Sequence, residues 1–78
     1  MLATEWIVSD AGVLGGKPCI RGTRISVELV LELLASGASR DDILTAYPHV
    51  PVDGLQAALQ YAARALRNEI VWDVKTSA

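Results

Sequence analysis

The stretch GGKPCIRGTRIS, residues 15–26, gathers the only cysteine of the chain and three cations, Lys17, Arg21 and Arg24, with no carboxylate among them. Three chemistries are open to such a segment: a glycine loop around a phosphate, thiol chemistry at Cys19, and ionic contact by the cations. A P-loop needs four residues between its first glycine and the Gly-Lys pair, then a Ser or Thr to hold the metal. Only three residues separate Gly12 from Gly16-Lys17, and Pro18 stands where the hydroxyl should be. A glycine turn leading into an extended segment is the better reading. Cys19 and the single histidine, His49, would supply a nucleophile and a base, but no third group is placed to orient the ring. A lone cysteine usually packs as a small hydrophobe, and one Cys with one His falls short of the three or four ligands of a zinc site. No catalytic residue, metal or cofactor is assigned, and the chain is not expected to be an enzyme.

The cations remain. Lys17 and Arg21 share parity along an extended strand and Gly22 lets Arg24 swing toward them, so a two-stranded ribbon would present all three to one phosphate backbone. The competing readings are a solvated face, or pairing with the carboxylates of another subunit.

The elements that must position these residues follow from local pattern. TEWIVSD alternates and reads as a short strand closed by Asp10 and the glycines after it; CIRGTRI reads as a second extended piece with a bend or bulge at Gly22. Ser26 is a candidate N-cap, and Val27, Val30, Leu31 and Leu34 fall at helical spacing up to Gly37. Leu29 and Leu33 add a second stripe, so this helix is apolar over most of its circumference, with Glu28 and Glu32 as a narrow anionic edge. Ser39 and Asp42 have capping-box spacing for a short helix running to about Tyr47, where Pro48 stops it. A third and longest helix is expected from about Val52 to Asn68, with Leu55, Ala58, Leu59, Ala62 and Leu66 on one face. At about 100° per residue, Gln56, Gln60, Arg64 and Arg67 gather within about 80° on the other side. These are the side-chain types that read base edges and phosphates. The tail from Glu69 returns to alternation, and its Ile70, Val71 and Trp72 are candidate partner-binding residues because tryptophan often anchors interfaces.

The expected architecture is therefore mainly α, a single domain over residues 1–78. It has a β-ribbon arm over 5–25, a three-helix unit over 26–68 and a tail over 69–78. Three short helices with tight connections have the outline of a helix-turn-helix or homeodomain-like unit. A chain of 78 residues that is 51% hydrophobic cannot hide all its apolar surface in so few elements, which predicts a homodimer or a tight hetero-complex. No apolar run approaches the about 20 residues of a membrane helix. Nothing resembles a secretory leader, and a single cysteine makes no internal disulfide, so a cytoplasmic location is expected. The net charge of −2 argues against indiscriminate nucleic-acid binding and confines any such contact to a local basic patch.

GGKPCIRGTRISVELVLELLASGASRDDILTAYPHV, followed by ALQYAA, resembles the small prokaryotic family known as domain of unknown function 433. The match runs from Trp6 to Ala63, with Gly15, Gly16, Lys17, Pro18, Gly22, Thr23, Arg24 and Ile25 on the signature loop and Gly37, Tyr47 and Pro48 in the helical part. The resemblance implies a homeodomain-like trihelical fold with an N-terminal β element and a dimer. It also implies a VapB-like antitoxin that neutralises a PIN-like toxin nuclease by direct binding and represses its operon through DNA. On that reading Lys17, Arg21 and Arg24 contact operator DNA with help from Gln56, Gln60, Arg64 and Arg67, and Ile70, Val71 and Trp72 contact the toxin. The alternative is a dimeric protein-interaction module without DNA binding. One departure from the family concerns the start of the third helix, where Pro51, Asp53, Gly54 and Gln56 replace the usual cap, charged pair and following cation. Gly54 is expected to weaken that helix by about 0.5–1 kcal/mol relative to Ala.

Overall fold

The computed structural model describes residues 3–67. It is mainly helical, with a small two-stranded antiparallel sheet. A one-turn helix α1 (Ala3–Trp6) leads into β1 (Ile7–Val8). After a 3-10 turn at Leu14–Gly16 the chain forms β2 (Cys19–Ile20), then α2 (Val27–Ala35), α3 (Arg40–Ala46) and α4 (Val52–Arg67). The three expected helices are α2, α3 and α4. Asn68, where the third was expected to end, and the tail with Ile70, Val71 and Trp72 lie outside the described residues.

The extended reading of TEWIVSD holds for only two residues. Thr4 to Trp6 are helical, because this turn packs against α4 and lays the Trp6 ring beside Gly54, a contact that alternation along the chain does not encode. In the sheet Ile7 pairs with Ile20 and Val8 with Cys19. Beyond Ile20 the chain doubles back. Ile20 N–H donates to the Ile25 carbonyl at 2.9 Å, Thr23 N–H donates to the Ile20 carbonyl at 3.0 Å, and Cys19 bridges Ser26. The bend expected at Gly22 is thus a tight hairpin turn, with β2 as the central segment between 7–8 and 25–26.

The helix ends are made by side chains and turns at the expected places. The Ser26 hydroxyl accepts from Leu29 N–H at 2.9 Å and caps α2. That helix closes with Ala38 N–H donating to the Leu33 carbonyl and Gly37 N–H to the Leu34 carbonyl, the Schellman arrangement, with Gly37 at φ 107°. At α3 both halves of the capping box are present: Asp42 N–H donates to the Ser39 hydroxyl, and Ser39 N–H to the Asp42 carboxylate. Tyr47 and Val50 close the turn around Pro48 through a 2.9 Å backbone bond, which buries Val50.

Ile20, Ile43, Leu55, Val30 and Cys19 are the largest fully buried side chains, so the core sits where the hairpin meets all three helices. Of the glycines, Gly54 has the closest neighbours. A Cβ there would lie 2.9 Å from Ile20 Cγ2 and 3.3 Å from Trp6 Cε3. The glycine that reads as a weakness in helix propensity is what lets α4 seat on the sheet. On the expected apolar face of α4, Leu55, Ala58 and Ala62 are buried and Leu59 is half-buried, whereas Leu66 is 55% exposed because the helix there runs past the core. Leu31 of α2 is likewise exposed.

Two expectations follow. Gly54→Ala gains about 1 kcal/mol of helix propensity but must displace the buried Ile20, so a net loss of about 1–3 kcal/mol is expected from overpacking; urea unfolding of the variant gives the sign directly. The Ser39 backbone N–H, and secondarily its hydroxyl side, holds the Asp42 carboxyl below its ordinary 3.8. Folding therefore favours the ionised form, and this contribution is present above that ordinary value and lost as pH falls through the lower folded value. Asp42→Asn should flatten the fall in stability from about pH 5 downward to about pH 2, as measured by denaturant midpoints across that range.

Candidate nucleic-acid and partner surfaces

The hairpin gives Lys17, Arg21 and Arg24 three different neighbourhoods. Lys17 precedes β2 and reaches across to α2, where its ammonium lies 2.7 Å from Glu28 Oε1. The pair is exposed on both sides, so it adds little stability. The hydrogen bond and charge of Glu28, with the charge of Glu32 adding, raise the Lys17 pKa, and the cation is already paired within the chain. For Lys17 a carboxylate of the same chain takes the place that the competing reading gave to another subunit.

Arg21 leaves the start of the turn on the other side. Its backbone N–H donates to the Trp6 carbonyl at 2.6 Å, and its guanidinium carbon sits 4.9 Å from the Trp6 ring centroid. Such stacking fixes the planar head while leaving N–H groups to donate at its rim. Arg24, at the far end of the turn, lines a separate open cleft of about 540 Å³ with His49, Asp10 and Cys19.

The α4 residues form a more continuous arrangement. Gln56, Gln60, Arg64 and Arg67 are all exposed, and successive turns place them along the outward side of the helix. Gln56 and Gln60 border a small pocket of about 260 Å³ with Trp6, Asp53 and Ala57. Arg40, at the first turn of α3, donates to the Gln56 side-chain oxygen. Trp6 thus joins Arg21 to the glutamine end of the α4 row, and Arg40 extends that end sideways. Asp53 is the one carboxylate at the pocket.

Arg40 and Trp6 were not marked as site residues by sequence. Arg40 follows the Ser39 cap position and Trp6 lies within the alternating TEWIVSD, neither of which is a site pattern. Their meeting with Gln56 and Arg21 is a contact between elements far apart in the chain, for which no local spacing is a signal.

On the opposite flank, Pro18, Val27, Leu31, Tyr61, Ala62, Ala65 and Leu66 line a groove of about 300 Å³ between α2 and α4, with Glu28 at its edge. This is where the apolar surplus of α2 emerges. As for thiol chemistry, Cys19 is 1% exposed and its thiol donates to the Lys17 carbonyl at 3.2 Å, so it packs as a core residue although one side borders the His49 cleft. Among the described residues no group of three or more His, Cys, Asp or Glu side chains is placed to hold a metal ion. No helix among them is long and apolar enough to cross a membrane.

Residues 7–62 match the family model described as "Protein of unknown function (DUF433)". The chain belongs to the DUF433 family. The DUF433 match takes in both strands, the hairpin, α2, α3 and most of α4, leaving out Trp6 and the last turns of α4 with Arg64, Ala65, Leu66 and Arg67. Over 60 residues the chain is 37% identical to the uncharacterized protein y4eO of Sinorhizobium fredii, a match covering 77% of this chain and 27% of that protein. A solved structure of a DUF433 member from Anabaena variabilis superimposes with a TM-score of 0.75 at 32% identity, over 81% of this chain and 62% of that one. This DUF433 chain thus spans about a quarter of the length of the first relative and less than two thirds of the second.

The Arg21–Trp6 stack can be read optically. In a Trp72→Phe background, which leaves Trp6 as the one indole, Arg21→Ala should change its near-ultraviolet circular dichroism and fluorescence. It should cost about 0.5–1 kcal/mol of stability, whereas Arg21→Lys should retain part of both.

Proposed function

We propose that the chain is the antitoxin-like, non-enzymatic member of a prokaryotic toxin–antitoxin pair, a homeodomain-like unit that acts as a dimer. It binds a PIN-like nuclease toxin through apolar surface and operator DNA through the outward side of α4. The observation that carries the DNA half is the unbroken row Gln56, Gln60, Arg64 and Arg67, all exposed on one helix, with Arg40 bound to Gln56 and Arg21 stacked on the adjoining Trp6. Amides and guanidinium groups are the chemistry that reads base edges and phosphates, and a helix is an element that fits the major groove. In this reading the contact set shifts from the Lys17 side of the loop toward α4, because Lys17 is occupied by Glu28.

The protein half draws on the groove between α2 and α4. Leu31 and Leu66 are exposed there beside Tyr61 and Pro18, and apolar surface of this kind on so short a chain favours a second polypeptide. The tail residues Ile70, Val71 and Trp72 extend the proposed toxin contact. A cytoplasmic location belongs to the same reading, since both operator and nuclease would be met there.

A second reading, an interaction module with no DNA affinity, is favoured by the internal neutralisation of Lys17 and by the net charge of −2. One preparation separates the two. The chain is co-expressed with the product of its neighbouring gene, purified through a tag on either protein, and its mass measured by light scattering. The complex and the free chain are then titrated against the upstream DNA at several salt concentrations. The antitoxin reading expects a stable complex that silences ribonuclease activity, and DNA affinity that falls steeply with salt. Arg64→Ala with Arg67→Ala should flatten that salt dependence by about two phosphate contacts. A complex with no salt-sensitive DNA binding supports the interaction module, and neither complex nor DNA binding defeats both.

A further inference from the structure

The proposed function leaves the Arg24 cleft unused, although it is larger than both the α4 pocket and the α2–α4 groove. Its walls come from three separate parts of the chain. Val8, Asp10 and Val13 belong to the strand β1 and the loop after it, Cys19, Gly22, Thr23 and Arg24 to the hairpin, and His49 to the turn between α3 and α4. A volume of about 540 Å³ falls in the usual range of sites for small organic ligands, which combine apolar walls with a few convergent polar groups.

The hairpin holds Arg24 at this cleft with unusual firmness. The Thr23 hydroxyl donates to the Ile20 carbonyl at 2.8 Å and accepts from Ile25 N–H at 3.0 Å, in addition to the two backbone bonds that close the turn. Thr23 therefore fastens the residues on both sides of Arg24 to the buried Ile20 and Ile25. The Arg24 side chain itself is left over. It is exposed, and the only ion pair among the described residues is Lys17 with Glu28. Across the cleft, His49 is exposed, with its ring edge-on to Tyr47 at 6.3 Å. Pro48 and the Tyr47–Val50 backbone bond stiffen the turn that carries it. A cation and an N–H donor carried on two rigid turns beside one cavity are placed for an anion, since the backbone is already ordered and only side-chain rotamers are left to the binding step.

A second charged group limits what that anion is. The Asp10 carboxylate lines the same cleft and accepts from Gly12 N–H at 2.9 Å, which ties it into its own turn. With one carboxylate beside one guanidinium the cleft carries no surplus of positive charge, which disfavours a chain of phosphates and limits the ligand to a single anionic head. A phosphomonoester has three terminal oxygens, so two can meet the Arg24 fork and the third the His49 N–H from a different direction, whereas a carboxylate must accept from both through the same two coplanar oxygens. Val8 and Val13 offer apolar contact to the body that carries the head.

We propose that the cleft between the 20–25 hairpin and the Tyr47–Val50 turn is a binding site for a small phosphomonoester with an apolar or aromatic body, held by Arg24 and His49. The site is independent of the DNA and toxin surfaces, so its test does not depend on them. The full chain, labelled with ¹⁵N, is titrated with phenyl phosphate, inorganic phosphate and benzoate, and the backbone amides are followed. Phenyl phosphate should give saturable shifts at Val13, Gly22, Thr23, Arg24 and His49, and should bind about tenfold more tightly than inorganic phosphate by virtue of its ring. Benzoate should be weaker than phenyl phosphate. Arg24→Gln should weaken binding by about tenfold or more, the loss of a charge-assisted contact, and His49→Gln by a smaller factor.

Because both side chains are exposed, the variant spectra should otherwise overlay that of the parent. That overlay also certifies that the fold is intact. Shifts centred on the Arg64 and Arg67 amides would mean general attraction to cations, and undiminished binding by Arg24→Gln would mean the wrong site. Tighter binding of duplex DNA at the same cleft amides would assign the site to a polyanion. Any of these overturns the proposal, as does the absence of saturation.

Discussion

The contact on which the structure turns is the close approach of α4 to the sheet at Gly54. A hydrogen in place of a methyl lets the first turn of the longest helix settle onto Ile20 and the Trp6 ring. Ile20 is also the point where β1, β2 and the hairpin return meet, since it pairs with Ile7 and exchanges backbone bonds with Thr23 and Ile25. One residue without a side chain thus joins the ribbon and the helical unit into a single core. In a chain this small, where burial is marginal, the helix propensity lost at such a position is outweighed by the packing of two of its larger side chains.

That junction also decides the electrostatics. Were the loop a flat ribbon, alternation would send Lys17 and Arg21 to the same face. The ribbon is instead two residues long and then doubles back, so each cation is delivered to a different surface. Lys17 meets the acidic edge of α2, Arg21 meets an aromatic ring, and Arg24 meets a cleft. The basic character of the loop is consequently dispersed, while the arginines and glutamines of α4 remain in a row because helical periodicity alone keeps them there.

The same contrast explains what was legible in the sequence. The caps at Ser26 and Ser39, the Gly37 terminus, the stop at Pro48 and the outward row on α4 depend on residues within a few positions of one another. Their chemistry is written locally. The helical state of Thr4 to Trp6, the exposure of Leu66, the pairing of Arg40 with Gln56 and the reason for Gly54 depend on residues sixteen to fifty positions apart. Composition says that apolar surface exceeds what a short chain can bury, but only the packing shows where the excess emerges. For Gly54 the local rule and the tertiary contact point in opposite directions, a conflict usually resolved by packing.

The distribution of surfaces has a consequence for how the protein can work. The outward side of α4, the Arg24 cleft and the apolar groove are built on one core but share few side chains. The groove uses Tyr61, Ala62, Ala65 and Leu66, on turns of α4 that interleave with those carrying Gln60, Arg64 and Arg67. A polypeptide seated in the groove would cover Leu66 and hold the last turns of α4 against fraying. Since anything that binds the folded state alone stabilises it by mass action, such a partner would also fix the helix end that carries the two terminal arginines. If the outward side of α4 contacts phosphates as proposed, occupancy of the groove would strengthen that contact by ordering their common helix, with no residue touching both ligands.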